Sequence, residues 1–206
     1  MTLTGLQWLD ESQPLHDQVF AWLFAALIPA HILLVAGLQN PTVRKGLVAA
    51  RELLARYGHL EIYPAMLDIL GSTNISRAQA ESHFNSLAQT YDVAKNMIRT
   101  PFYSAAEISD DARAINIEAI KYWIDHGDHK EAMYWITAIS SFCQKALYND
   151  TPIEVQNRFT PAYLHLLSDL GIHSFSDLKN RNKQNEETLP AVWRVAEAII
   201  ATTSRM

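Results

Sequence analysis

The chain has 206 residues, 49% hydrophobic and 19% charged, enough for one large core or two small ones. Its net charge of −5 leaves no electrostatic footprint for nucleic acid or an anionic membrane, and the longest basic stretch, Lys179-Asn180-Arg181-Asn182-Lys183, is followed at once by Glu186-Glu187. The single cysteine, Cys143, rules out an internal disulfide; it lies in an apolar helical pattern, where a small buried side chain is expected rather than a nucleophile.

Val19 to Leu38 reads VFAWLFAALIPAHILLVAGL, about the length that spans a bilayer. Pro29 and His31 stand at its middle, no second such segment follows, and its N-terminal flank is acidic (Asp10, Glu11, Asp17) rather than the basic flank of a signal peptide. A buried core helix, kinked or split near Pro29, is therefore expected, with no membrane partner and a cytoplasmic location; a membrane anchor is the alternative for this segment.

Helix punctuation then runs along the chain. Asn40-Pro41-Thr42 closes the apolar segment and caps a helix from Val43 to Tyr57, which Gly58 ends as a left-handed C′ residue. Ile62 to Leu70 is a shorter helix ended by Gly71. Ser76-Arg77-Ala78-Gln79 is a capping box opening a long helix to about Ile98, and Thr100-Pro101 stops it. Ser109 caps Asp110 to His126, with two acids in the first turn. After Gly127, Asp128-His129-Lys130-Glu131 is read as a second capping box for His129 to about Tyr148. Thr151-Pro152 and Thr160-Pro161 are read as two further helix starts, the second ended by Gly171, and Thr188 before Pro190 as the start of a last helix to about Thr202.

No segment alternates with period two, so the expected fold is all-α: a bundle of eight to ten helices in one domain, 1–206, with an N-terminal helical subdomain 1–100 and a bundle 101–206 as its natural subdivision. The short joint at Gly127 forces an antiparallel αα-hairpin from the helices 110–126 and 129–148, expected at the centre.

Few residues offer chemistry. Asp125-His126-Gly127-Asp128-His129 is the densest set of metal-ligand types, but each already has a structural role at a helix end, and no third or fourth ligand lies nearby. A metal-dependent enzyme using His126 and His129 is therefore a subordinate reading, and no metal or cofactor is expected. Arg77 with His83 and Arg158 with His165 have the four to six intervening residues used by helical ribonucleases, yet two such pairs are what chance supplies here. Gly71-Ser72 is not followed by the paired carboxylates that two-metal nucleotidyl transfer needs, and no Walker loop, GxSxG or HExxH is present. Tyr122 and Tyr134, at helical spacing with Trp123 and Trp135, are candidate pocket residues.

The segment from Asp92-Val-Ala-Lys95 through Thr100-Pro-Phe-Tyr103, Ala112-Arg113 and His126-Gly-Asp-His129-Lys-Glu-Ala132-Met-Tyr-Trp135 to Leu147-Tyr-Asn-Asp150 resembles the helical region that accompanies some bacterial nucleotidyltransferases. Its hairpin resembles HEPN and kanamycin-nucleotidyltransferase C-terminal helix pairs. The catalytic carboxylates of that family are missing, so the resemblance implies a non-catalytic auxiliary module that binds a small ligand or nucleotide, or docks on a nucleotidyltransferase-type partner chain or a second copy of itself. Arg113 and His129 would be its anion contacts, with Tyr122 and Arg99 beside them. A second resemblance competes. Ala50-x-x-Leu53-Leu54-x-x-x-Gly58, Ile69, Ile75-Ser76 and His83-Phe84 resemble the opening of TetR-like DNA-binding regulators, although Glu81 stands where an aromatic is usual and only Arg77 serves as a strong phosphate contact.

Overall fold

The computed structural model describes residues 9–203. Ten α-helical segments follow one another: α1 (Leu15–Ala26), α2 (Ile28–Ala36), α3 (Gly46–Tyr57), α4 (Tyr63–Leu70), α5 (Arg77–Met97), α6 (Asp110–Arg113), α7 (Ala119–Asp125), α8 (His129–Asp150), α9 (Ile153–Asp169) and α10 (Phe175–Thr203). A π-turn, Ala114–Glu118, joins α6 to α7, and short 3-10 turns precede α3 and α4. Taking α1–α2 and α6–α7 as one rod each leaves eight helices, and among the described residues there is no strand.

The apolar segment packs as a helix that breaks at Leu27, two residues before Pro29, because Pro29 sits in the first turn of α2, where a missing N–H costs nothing. One helical run, Leu15–Ala36, is long and apolar enough to cross a membrane; 61% of its most apolar stretch is buried inside the fold. Val19, Trp22, Leu23, Ala30 and Leu33 are fully enclosed.

At the centre lies α8. Every residue from Glu131 to Ile139 is buried, so this helix has no solvent face over more than two turns. The hairpin partner α7 packs on it, but its most extensive neighbour is α5, with α9 and α1 closing the remaining sides. In a second layer, α10 runs across α1, α2 and α4, and α3 covers the other side of α2. One continuous core joins residues from Val19 to Ile199.

Several local signals act as expected. Ser76 accepts from the Gln79 N–H while Gln79 accepts from the Ser76 N–H, and Ser109 accepts from the Ala112 N–H. Three other expected features are corrected. Thr160-Pro161 lies inside α9 and Thr188 with Pro190 inside α10, so neither opens a helix. The hydroxyls of Thr160 and Thr188 donate to the carbonyls of Gln156 and Gln184, one turn back, instead of capping forward. Both prolines are exposed, on the outer side of their helices. Finally, Asp128 makes no cap bond to α8; its carboxylate is held by Arg51 of α3.

Gly58, Gly71, Gly127 and Gly171 all end helices with positive φ. They differ in surroundings. A Cβ on Gly58 would meet nothing within 4 Å, whereas one on Gly71 would stand 2.2 Å from the Leu170 carbonyl oxygen. Here Arg181 reaches from α10 to the carbonyls of Asp68 and Leu170, closing the C-terminal ends of α4 and α9 together. Gly58→Ala is therefore expected to cost about 1 kcal/mol, the price of a left-handed non-glycine residue, and Gly71→Ala at least about twice that because backbone must also move. Urea denaturation of the two variants checks the ratio; equal losses would show that the α4–α9 contact is not tight.

Candidate functional site

The residues singled out by the sequence do not gather in one cavity. Arg113 grips Asp92 of α5 with Nε and Nη2 at 3.0 and 3.2 Å, and this pairing holds the Asp92 carboxyl below its ordinary range. Arg99 is exposed; its backbone N–H donates to Asp150 beyond the last turn of α5. Tyr122 is 57% exposed and stacks on the ring of His126 at 3.8 Å. His129 is half-buried, and its Nδ1 has no hydrogen-bond partner among the described residues. A rise of about 1.5 Å per residue places Arg113 roughly 20 Å along the hairpin from the 126–129 turn. Arg158 lies over the Phe159 ring at 5.2 Å.

The 126–129 turn itself is occupied. His126 Nδ1 is 2.7 Å from the Tyr122 carbonyl. Asp125 takes Lys121 and Arg77. Arg51 donates to Asp128 at 2.7 Å and to Glu131 at 2.5 Å, and the Tyr63 hydroxyl donates to the same Glu131 oxygen at 2.8 Å. Burial, and then the Glu131 carboxylate, push the Tyr63 phenol up, so it stays a donor. Among the described residues no three His, Cys, Asp or Glu side chains are placed to hold a metal ion. On the stretch resembling a recognition helix, Arg77 is paired with Glu81 and Asp125, and His83 is buried against Asp169 at 2.8 Å.

Space for a ligand lies elsewhere. One cavity, about 490 Å³, is a trough between α2 and α10. Two of its lining residues, Ala36 and Ala196, are small and buried. Its walls are Ile28, Ile32 and Val35 on one side and Trp193 and Ile200 on the other. Leu38 borders it at the end of α2, 84% exposed and with φ of 53°. The preceding Gly37 is not left-handed (φ of −85°); its lack of a side chain makes room for Leu53 of α3, which a Cβ there would meet at 2.6 Å. His31 forms one rim, and burial pulls its imidazole below its ordinary pKa. Across His31 lies a second apolar hollow of about 220 Å³, with Phe24, Tyr134 and Trp135 in its lining; Tyr134 thus lines a cavity, and Tyr122 does not line either one. The groove residues carry no motif, and nothing in the sequence separates them from the rest of the apolar run.

A third hollow, about 260 Å³, lies where α1, α8 and α9 meet and is more polar. Its His16 is only 6% exposed, and burial drops the imidazole to about 4.

Comparison with protein-family models, with curated proteins and with solved structures finds no match to the chain.

Two outcomes follow from this electrostatic layout. Arg51→Met would leave Glu131 buried with Tyr63 as its only partner and is expected to cost about 3 kcal/mol, with Arg51→Met/Glu131→Leu recovering much of it; equilibrium unfolding in urea measures both. For His16, the unfolded chain takes up a proton near 6.5 and the folded protein only near 4. Stability is therefore expected to fall as pH drops through that window, since the unfolded state then binds more protons. The charged and titratable groups facing the ring are Asp17, Lys145 and Tyr148. His16→Phe should flatten the midpoint-against-pH curve between pH 6.5 and 4; an unchanged slope would refute the assignment to His16.

Proposed function

We propose that the protein is a non-catalytic helical binding module that takes a small, mostly hydrocarbon ligand in the groove between α2 and α10. The observation that carries this reading is a trough of about 490 Å³ whose walls are nearly all hydrocarbon and are left open to water at Val35 and Trp193, 71% and 51% exposed. Its size is that of small-molecule sites, roughly 300–1,000 Å³. A neutral imidazole, His31, supplies one polar handle on an otherwise apolar wall. Leu38 adds support, since a left-handed leucine in water costs about 1 kcal/mol and a bound apolar ligand would offset its exposure.

The likeness of residues 92–150 to nucleotidyltransferase-associated HEPN-like helices is the finer part of the reading. It rests on the hairpin of α7 and α8 and its Gly127 turn, and makes a separate catalytic chain the natural partner of the module. A nucleotide as the groove ligand is less favoured, because among the described residues no Lys or Arg lines the groove.

The neutral fluorophore N-phenyl-1-naphthylamine tests the site. It is expected to bind saturably with a blue-shifted emission. Val35→Asp and Trp193→Ala should each weaken binding by about tenfold, a loss of about 1.4 kcal/mol, while Arg113→Ala leaves it unchanged. No saturable binding, or equal binding by Val35→Asp, would refute the groove as a ligand site.

A further inference from the structure

The hollow between α1, α8 and α9 differs from the groove in one respect: it holds polar groups whose hydrogen bonds are not used. His16 and Gln144 are 6% and 8% exposed, so water reaches little of either. Both line the hollow. The His16 ring makes no hydrogen bond among the described residues: its Nε2 stands 3.6 Å from Asp17, whose carboxylate is instead held by Lys145 at 2.7 Å. The Gln144 amide has only a long contact at 3.4 Å, where its oxygen meets a Thr160 hydroxyl that already donates to Gln156 at 2.9 Å. Its NH₂ group donates to nothing among the described residues. Neither residue has a polar atom that is both fully enclosed and unpartnered, so their unused donors and acceptors still meet solvent, and a molecule that fills the hollow must match them in water's place.

The walls say which molecule matches. Tyr148 stands at 5.3 Å from the His16 ring and is half-exposed at the mouth, and Tyr163 lies deeper, buried and tied to Ser141. Two tyrosine rings and an imidazole in the lining favour a flat ligand. The one acid and one base nearby, Asp17 and Lys145, neutralise each other, and burial keeps the imidazole uncharged at neutral pH. A charged ligand would therefore enter without a counter-charge. A purely apolar one would leave His16 and Gln144 unmatched.

We propose that this hollow is a second binding site, for a small uncharged planar ring that carries a donor and an acceptor side by side, a nucleobase-type cyclic amide. His16 and the Gln144 amide each present both a donor and an acceptor to such an edge. The site shares no lining residue with the α2–α10 groove, so the two can fail separately.

Titration of the isotope-labelled protein with uracil, adenine, their 5′-monophosphates and benzene decides it. The expected result is saturable movement of the Gln144 side-chain NH₂ and His16 imidazole signals with at least one free base, weaker or no movement with the monophosphates, and none with benzene. Gln144→Leu and His16→Phe should each lower the affinity for that base by about tenfold or more, and Trp193→Ala should leave it unchanged. Each variant's helical circular dichroism shows that it is folded, and either one suffices. The proposal is overturned if no base moves those signals to saturation, if a folded Gln144→Leu or His16→Phe protein binds as well as the parent, or if benzene saturates the same signals.

Discussion

A helix buried on every side leaves its polar atoms no water, and α8 is such a helix from Glu131 to Ile139. Along that stretch and just beyond it, polar side chains take partners on neighbouring helices, and those partners fix where the neighbours lie. Glu131 is answered by Arg51 and Tyr63, which ties α3 and α4 to the first turn of α8. The Trp135 indole N–H donates to Asn116. Ser141 shares a hydrogen bond with Tyr163 of α9 and donates back to the Thr137 carbonyl. The π-turn between α6 and α7 follows from the same demand. It carries Asn116 inward, where its amide donates to the carbonyl and carboxylate of Glu107 while its oxygen accepts from Trp135. A regular turn would shift that side chain around the helix and leave the indole unmatched.

The helix ends that could be read from sequence are those decided within four residues. Ser76 with Gln79, Ser109 with Ala112, and glycine at the left-handed position after α3, α4, α7 and α9 are local chemistry and need nothing from the rest of the chain. The ends that misled were those where a local signal met a stronger distant one. Asp128 and Glu131 have the spacing of a capping box, but a guanidinium from 77 residues earlier in the chain binds both. Thr160 and Thr188 look like caps before prolines, yet apolar faces on both sides of each proline, with Phe159, Tyr163 and Leu166 in α9 and Val192 and Ala196 in α10, keep the helix going. Burying those faces outweighs the lost backbone bond.

The candidate sites were far less legible for a related reason. Residues that stand out in a sequence are charged, and in this bundle the charged ones are spent on pairing: Arg51, Arg77, Arg113, Lys95 and Lys145 each hold carboxylates on another helix. The groove is made by residues 28–38 and 193–203, which meet only because α10 crosses back over α2. In the sequence, Ile32 and Val35 belong to the same apolar run as Leu33 and Leu34; only packing separates the enclosed side of that run from the open one. The sequence-based reading assigned the whole run to the core, and that holds for one face of it.

Why the open face stays open can be argued from size. Where α2 meets α10, the buried lining residues are alanines, Ala36 and Ala196, and the larger Ile28, Ile32, Val35, Trp193 and Ile200 stand around them. Replacing either alanine by a larger residue would take space from the trough, and the end of α2 is fixed on its other side, where Gly37 accommodates Leu53. Small residues at the base and large apolar ones around it thus leave a hollow that α2, packed on α3 and α10, does not close. The hydrocarbon at Val35, Leu38 and Trp193 remains in water, where a complementary apolar surface would release free energy.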